Sequence, residues 1–514
     1  MEKLINIIAS EYSKYEKNPD ILFELQKIIE GLPSVLELQG KQHERRKIPN
    51  AILKKKVMGF LNHPDNQYFY INSTDSFVKY DGKHYIINNE DDIWHAIYTY
   101  LKGCNADLKQ QVKNNVIKYI KTKSIFKSIP ESKTIQDVIK FLYPLIFSSK
   151  EEAKYFLSII GDNITGNKIN SASIIHYLSY ESKSFVDAIY NNIHDYVDIG
   201  YFPTIKWRCY RHNFQHCRML KFNKTVISND CWNLFIKNNI LDIVAVAAHY
   251  SERYNGSENY VTQHLLDAKI KNHIFYLKDK TEDDVVNDFV KAYIFKLPEN
   301  NTQIVLPVSW DMVYFVWKMY LAENNYPNFL FIEPLKKNIK SKFDFDEYQN
   351  VFTSVSSHAF DKIIKLQSFW RETIMNEDQP FCDYEIGEIC NLYRQWLHNE
   401  DTNLLIDQET MISVLQHFYP KIFIMDNKYV KNIKCNLWCK WQDINLWIDH
   451  YKTIYDKEIL TISISALYHL YCNFKKNSVG QNNSVSKDYF TKYLKSIISL
   501  KFFDENLLNQ SYFD

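Results

Sequence analysis

The chain has 514 residues, of which 46% are hydrophobic, and this argues against a disordered protein and for several domains with buried cores. Its 62 Lys and Arg residues nearly balance 61 Asp and Glu residues, which excludes a uniformly basic nucleic-acid-binding protein and leaves only local basic patches. Nine scattered cysteines do not suggest a disulfide framework, and no apolar run approaches the ~18 residues that span a bilayer. We therefore expect that the protein resides in a reducing compartment and does not bind a membrane.

The N-terminal part of the chain predicts helices followed by a small β element. Apolar residues recur at helical spacing through residues 1–60. Residues 67–102 then predict two strands joined at Asp81-Gly82, because Asp-Gly suits the positive φ angles of a two-residue hairpin turn. An acid-capped amphipathic helix follows the second strand.

The rest of the chain is also predominantly helical in its pattern. Residues 105–160 predict helices with breaks at two prolines and a capping box at Ser149. Residues 240–248 fit either a buried helix or a strand, because periodicity alone does not separate the two. Further helices are predicted over residues 307–321 and 383–420, and residues 456–514 predict a helix, a loop, a helix and a short apolar end. No repeat of fixed period is evident.

These patterns predict a mainly α fold with small β elements (α+β) and several domains. Five segments are expected: a helical N-terminal region (1–60), a hairpin-plus-helices domain (61–165), a mixed middle domain (166–300), a helical domain (301–450) and a winged-helix-like domain (451–514).

Two segments carry a family resemblance. Phe77–Ile87 with Asp91–His95 resembles the linker domain that precedes the ATPase in poxvirus-type primase–helicases. Ser465–Phe474 with Val485–Leu494 is similar to the winged-helix tail of those enzymes. A nucleotide-binding motor is not found between them, and the chain resembles proteins of mimivirus-type giant DNA viruses that share these flanking modules without the motor. The resemblance implies that the winged-helix tail contacts nucleic acid. It also implies that the protein is located in the host cytoplasm, at the viral factory.

Three motifs for chemistry are weak. Gly161–Ile169 nearly spells a phosphate loop, but Asn167 stands where the lysine belongs, and a helix C-cap with a turn explains it better. Asp344 and Asp346 resemble the paired metal-binding aspartates of primases, and an acidic surface loop explains them equally well. Cys209, His212, His216 and Cys217 could ligate zinc, but they lie too close in sequence for a usual site. We expect no catalytic residue, no metal and no cofactor.

Basic residues interleaved with aromatic residues are the strongest functional signal. Cations along a groove and stacked rings hold single-stranded nucleic acid. The segment 206–221 has this composition and no acid, and the run 102–133 carries eight lysines against Asp107 and Glu131. A buried strand pair, or a solvated helix face, would give the same patterns. The predicted nucleic-acid-binding residues are Lys206, Trp207, Arg208, Tyr210, Arg211, Phe214, Arg218, Lys221, Lys109, Lys113, Lys487 and Lys492.

Three hypotheses for function follow. The first is a non-catalytic adaptor that binds single-stranded RNA or DNA and supports viral genome replication or gene expression beside a separate ATPase or helicase. The second is a helical scaffold for translation initiation that recruits a cap-binding protein and an RNA helicase, for which Tyr455 to Leu460 approaches a cap-binding-partner peptide before Thr461 departs from it. The third, ranked last, is a degenerate primase-like enzyme.

Overall fold

The structure is a computed structural model that describes residues 2–45, 50–166, 174–179, 182–207, 213–223, 232–296, 307–353, 355–377, 381–397, 402–456, 460–477 and 483–513. The chain divides into two compact units, residues 1–281 with 325–329, and residues 282–324 with 330–514. Both contain mainly helices with small sheets, which confirms the predicted fold class. Within the described ranges, no helix has the length and apolarity needed to cross a membrane.

The first unit holds ten of the helices that we label and six strands. In chain order they are α1 Glu2–Lys14, α2 Pro19–Arg45, α3 Asn50–Leu61, β1 Gln67–Ile71, β2 Ser76–Tyr80, β3 Tyr85–Asn88, α4 Glu90–Tyr100, α5 Ala106–Ile120, α6 Ser132–Leu142, α7 Lys150–Thr165, β4 Ile175–Leu178, α8 Lys183–His194, β5 Ile205–Lys206, β6 Cys217–Leu220, α9 Trp232–Tyr254 and α10 Ala268–Ile274.

The predicted hairpin is confirmed, with a longer connection and one more strand. β1, β2 and β3 form an antiparallel sheet, and residues 81–84 join β2 to β3. Gly82 has a φ of 90°, and the Asp81 carboxylate accepts hydrogen bonds from the backbone N–H groups of Lys83 and His84. These bonds favour a four-residue loop over the expected two-residue turn. The acidic first turn predicted for the next helix is that of α4.

A parallel sheet and two long helices form the main core of the first unit. β4 pairs in parallel with both β5 and β6, and α7 packs closely against α9. Residues 240–248 lie inside α9, so the buried-helix alternative is the one observed. Gly161 of α7 permits the close approach, because a Cβ atom there would overlap the carbonyl oxygen of Ala247. The capping box at Ser149 is confirmed.

The second unit continues the element order with nine labelled helices and thirteen strands. They are α11 Glu282–Tyr293, β7 Phe295–Lys296, β8 Val308–Ser309, α12 Trp310–Glu323, α13 Ile332–Lys340, β9 Phe345–Asp346, β10 Val351–Phe352, β11 Val355–Ser356, α14 His358–Thr373, β12 Ile374–Asn376, β13 Asp383–Glu385, α15 Ile386–Trp396, α16 Gln408–Phe418, β14 Ile424–Met425, β15 Tyr429–Lys431, β16 Ile433–Cys435, α17 Lys440–Ile454, β17 Thr461–Ser463, α18 Ile464–Asn477, α19 Lys487–Ile497, β18 Phe503–Asp504 and β19 Leu507–Asn509.

These elements repeat one module three times. Each module has a first helix (α11, α14 or α17), a short strand, two further helices and a β-hairpin. In each, the short strand pairs with the last strand of the hairpin, giving the sheet orders β8-β10-β9, β13-β15-β14 and β17-β19-β18. The second helix begins directly after the short strand in all three modules. The first helices begin at Glu282, His358 and Lys440, which are unequally spaced, so this structural repeat has no fixed period in the sequence.

The repeated modules share buried side chains at equivalent positions. The eighth residue of the second helix is a fully buried aromatic side chain that meets a ring of the first helix edge-on. The fourth residues of the second and third helices and the second residue of the last strand are also apolar. The equivalent sets are Trp317, Tyr393 and Tyr471; Val313, Ile389 and Leu467; Leu335, Met411 and Phe490; and Phe352, Val430 and Leu508. The repeat is not apparent in the sequence because the lengths of the helices and connections between these positions differ.

Candidate nucleic-acid interface

The segment 206–221 was the leading sequence candidate, and part of it can be placed. Arg208, Tyr210 and Arg211 lie outside the described residues. Lys206 ends β5, and Cys217–Leu220 forms β6, in which every residue is buried. Parallel strands are usually covered on both faces, so a strand here buries side chains that an antiparallel strand would expose.

Arg218 is part of the protein interior. Only 4% of this residue is exposed, and its Nε and Nη2 groups donate to the Glu258 carboxylate at 2.8 and 2.6 Å. Its Nη1 group donates to the backbone carbonyl oxygens of Gln215 and Cys217. The guanidinium also lies over the ring of Phe275, 4.7 Å from its centroid. A cation with these partners cannot reach a phosphate, and the prediction that Arg218 binds nucleic acid is wrong.

The two aromatic residues of this segment that the structure describes also pack inward. Phe214 is 9% exposed, and its ring contacts that of Phe329. Trp207 packs against the core of the first unit and against Tyr201, and its indole N–H is buried without a hydrogen-bond partner among the described residues. Phe214 therefore offers no free face to a base, whereas Trp207 remains partly exposed. Lys206 and Lys221 also keep partly exposed positions.

The helices α4 and α5 place lysines against rings on the surface of the first unit. Val112, Val116 and Ile120 of α5 are buried, which fixes the helix and turns its other residues outward. Lys113 lies over Trp94, with its ammonium nitrogen 3.0 Å from the ring centroid, and Lys109 lies 5.9 Å from the centroid of Tyr98. We call these four residues, Trp94, Tyr98, Lys109 and Lys113, the lysine–aromatic ladder.

The ladder follows from the spacing of both helices. Trp94 and Tyr98 are four residues apart on α4, as Lys109 and Lys113 are on α5, so each pair lies on one face of its helix. Tyr98, the later residue on α4, contacts Lys109, the earlier residue on α5, because the two helices run antiparallel. Tyr98 is 39% exposed, Trp94 is partly exposed, and the indole N–H donates to Glu90 at 3.0 Å.

More lysine–ring contacts lie nearby in the same module. The ammonium nitrogens are 5 to 6 Å from the ring centroids in the pairs Lys56–Tyr100, Lys79–Tyr68, Lys121–Tyr70 and Lys123–Tyr119. Lys121 also forms an ion pair with Asp75 at 3.2 Å. Partial burial lowers the pKa of Lys123. Tyr100 and Tyr119 are 39% and 40% exposed, whereas Tyr68 and Tyr70 are 2% and 7% exposed, so only the first two rings add to the surface on which cations and rings alternate.

The predicted C-terminal lysines lie on α19, the third helix of the last module. Lys487 and Lys492 are exposed, as is Lys495 one turn further on. Tyr489, Phe490 and Leu494 are buried on the opposite face. Lys492 also lines a cavity of about 450 Å³ between α19 and β13–β15. In that cavity Lys431 pairs with Asp383 and Lys440 pairs with Glu388, so its walls do not form a concentrated positive site.

The candidate phosphate loop is a helix end. Gly161 packs inside α7, and Gly166 is the C-cap residue with a φ of 63°, which is the predicted C-cap. Asn167 to Ile169 lie outside the described residues. The backbone N–H group of Gly161 is not available to a phosphate, because the residue lies inside α7.

The other candidate sites are occupied by structural contacts. Asp346 accepts hydrogen bonds from two backbone N–H groups of its own turn, and Asp344 lies 4.0 Å from the Lys296 ammonium group. Cys209 and His212 lie outside the described residues, and burial raises the pKa of the Cys217 thiol to about 12. Across the described part of the chain, no three His, Cys, Asp or Glu side chains are grouped to hold a metal ion. Tyr455, the first residue of the candidate cap-binding-partner peptide, packs against Phe513.

Comparisons with known proteins add no relative. No protein-family model and no curated protein matches this sequence.

Proposed function

We propose that the protein is a non-catalytic adaptor that binds single-stranded nucleic acid and supports viral genome replication or gene expression beside a separate ATPase or helicase. The observation that carries this proposal is the lysine–aromatic ladder, in which two cations and two partly exposed rings alternate on one surface. A single strand needs these two groups at close range, one for phosphate and one for a base.

The interaction energies favour replacement of the lysine–ring contacts within the ladder by contacts with a nucleic-acid strand. A lysine over an exposed ring contributes about 0.5–1 kcal/mol. Stacking of one base on an aromatic side chain contributes about 1–3 kcal/mol, and the displaced ammonium group gains a phosphate. A strand can therefore separate Lys113 from Trp94 with a net gain. The ladder would then hold an unoccupied site closed until a strand binds.

The exposed lysines of α19 are a second surface for the same ligand. Lys487, Lys492 and Lys495 add three positive charges to one helix, against Asp488. Exposed aromatic side chains are not interleaved with them, since Tyr489 and Tyr493 are each 7% exposed. We expect this surface to contribute phosphate contacts and salt dependence without stacking.

Fluorescence anisotropy with labelled oligo(dT) and oligo(U) tests the proposal. The double variant Lys109→Ala, Lys113→Ala should flatten the log–log salt dependence by about 1.4, because each lost phosphate contact on a single strand changes the slope by ~0.7. Trp94→Leu keeps an apolar side chain but removes the stacking surface. It should weaken binding by about 1–3 kcal/mol and leave the slope unchanged.

A matched control separates the ladder from any lysine-rich surface. Lys140 on α6 and Lys183 on α8 are exposed lysines of the same unit, and their double alanine variant should bind as the unmodified chain does. If the control flattens the slope as much as the ladder variant, the ladder has no special role. If the unmodified chain binds neither oligonucleotide at low salt, the proposal fails and the scaffold hypothesis replaces it.

A further inference from the structure

The first two helices expose an apolar face that nothing in the described structure covers. On α2, eight apolar residues fall within one arc of the helix, and most of the remaining residues are polar, with Phe23 and Leu38 as exposed apolar exceptions outside the arc. The eight residues of the arc are Ile21, Leu22, Leu25, Ile28, Ile29, Leu32, Val35 and Leu36. All are exposed except Leu22 and Leu25, which are partly covered. None of the residues of α1 is buried, and Leu4, Ile5 and Ile7 are each more than half exposed.

An amphipathic helix of this kind needs a partner surface. Helices in proteins owe most of their stability to packing of the apolar face, and isolated helices are marginal in water. Ile21, Leu25, Ile28, Leu32 and Val35 also follow the alternating four- and three-residue spacing of a helix that pairs with another helix. The spacing therefore indicates a helical partner rather than a sheet or a loop.

The exposed area matches what a stable dimer needs. A fully exposed large side chain presents on the order of 150–200 Å². Six side chains of the α2 arc and five of α1 are each about 40–65% exposed, which gives on the order of 1,000 Å². A standard interface buries about 800 Å² per partner, and the largest apolar patch of an ordinary monomer is about 300–600 Å².

The charges of α2 select among partners. Outside the arc α2 carries Asp20, Glu24, Glu30 and Glu37 against Lys27 and Lys41, so it is not basic. Helices that lie on anionic membranes carry lysine and arginine on the polar face. A helix that binds a polyanion such as nucleic acid needs basic residues there as well. Glu24 pairs with Lys27 at 3.8 Å and Glu37 pairs with Lys41 at 3.0 Å, so two of these four acids are compensated within the helix, which limits the repulsion between two copies. A second copy of this chain fits both the apolar face and the mixed charge.

We infer that the chain forms a homodimer in which the apolar arcs of α2 from two copies pack together, with α1 at the edge of the interface. This inference is independent of the nucleic-acid proposal, since the lysine–aromatic ladder lies on other helices.

Sedimentation-velocity centrifugation of the full chain tests the dimer. The unmodified protein should sediment with twice the chain mass of 61.4 kDa. The variant Ile28→Glu, Leu32→Glu should sediment as a monomer. The control Gln26→Glu, Ser34→Glu adds the same charge to the polar side and should remain dimeric. An unmodified monomer at ~10 μM, or an arc variant that stays as dimeric as the control, overturns the inference.

A second measurement covers the case in which the charged variant unfolds α2. A photoreactive benzoylphenylalanine at Leu36, on the arc, should give a covalent dimer, whereas the same group at Ser34 should not. Equal cross-linking at both positions, or none at Leu36, contradicts pairing through the arc. Monomeric protein that co-sediments with anionic vesicles would assign the arc to a membrane surface and would also overturn the inference.

Discussion

Replacement of Arg218 by methionine tests the assignment of this residue to the protein interior. The change Arg218→Met keeps an unbranched side chain of similar reach but removes the four hydrogen bonds to Glu258 and to two carbonyl oxygens. Breaking a buried ion pair costs about 3–5 kcal/mol, because the remaining charge is left without a partner. The Glu258 side chain is 32% exposed, so water solvates part of that charge. We therefore expect Arg218→Met to lower the free energy of unfolding by about 3 kcal/mol, near the lower end of this range.

Two further variants show whether the loss comes from the stranded carboxylate. Adding Glu258→Gln to Arg218→Met removes the unpaired charge and should restore about 1 kcal/mol or more. Arg253→Met changes an exposed arginine on α9 and should alter stability by no more than about 0.5 kcal/mol. Hydrogen exchange in a urea series, read on peptides that cover β6, reports the local free energy of opening. A cost for Arg218→Met that equals the cost for Arg253→Met would refute the reasoning.

Three other substitutions or conditions have expected outcomes. Gly161→Ala should cost about 1–3 kcal/mol in urea unfolding, because its Cβ would overlap the backbone of α9, whereas Gly31→Ala meets open space on α2 and should be neutral or stabilising by up to ~1 kcal/mol. Burial, and then the nearby guanidinium, lowers the pKa of His176 from 6.5 to about 3. As the pH falls, His176 is protonated in the unfolded chain before it is protonated in the folded chain. The free energy of unfolding is therefore highest above pH 6.5 and should be about 2 kcal/mol lower at pH 5. The variant His176→Gln should lack this part of the pH dependence. Asp443→Asn leaves the buried Lys475 ammonium without its carboxylate and should cost about 3–5 kcal/mol in thermal or urea unfolding of the last module.

Local signals in the sequence identify much of the first unit. The Asp-Gly loop, the acidic start of α4, the capping box at Ser149 and the C-cap at Gly166 all depend on residues within a few positions of one another. The structure has each of them near its predicted place. Loop length was wrong at the hairpin because the Asp81 carboxylate binds two backbone N–H groups that a two-residue turn would not present.

Long-range partners explain what the sequence did not reveal. Glu258, which buries Arg218, lies 40 residues further along the chain, so composition near Arg218 could not distinguish a core cation from a surface cation. The ladder likewise pairs residues of α4 with residues of α5, and only the lysines were visible as a run. The repeat in the second unit resides in buried positions such as Trp317, Tyr393 and Tyr471, whose spacing is clear only once the helices are aligned.

Photo-cross-linking of a bound strand tests most directly whether the ladder is the nucleic-acid surface. A single-stranded oligonucleotide that carries 4-thiouridine is irradiated with the full chain, and the cross-linked peptides are identified by mass spectrometry. We expect cross-links at Trp94 or Tyr98, with weaker ones near Lys492, and their loss in Lys109→Ala, Lys113→Ala. Cross-links confined to residues 206–221, or a yield that the ladder variant does not change, would contradict the account.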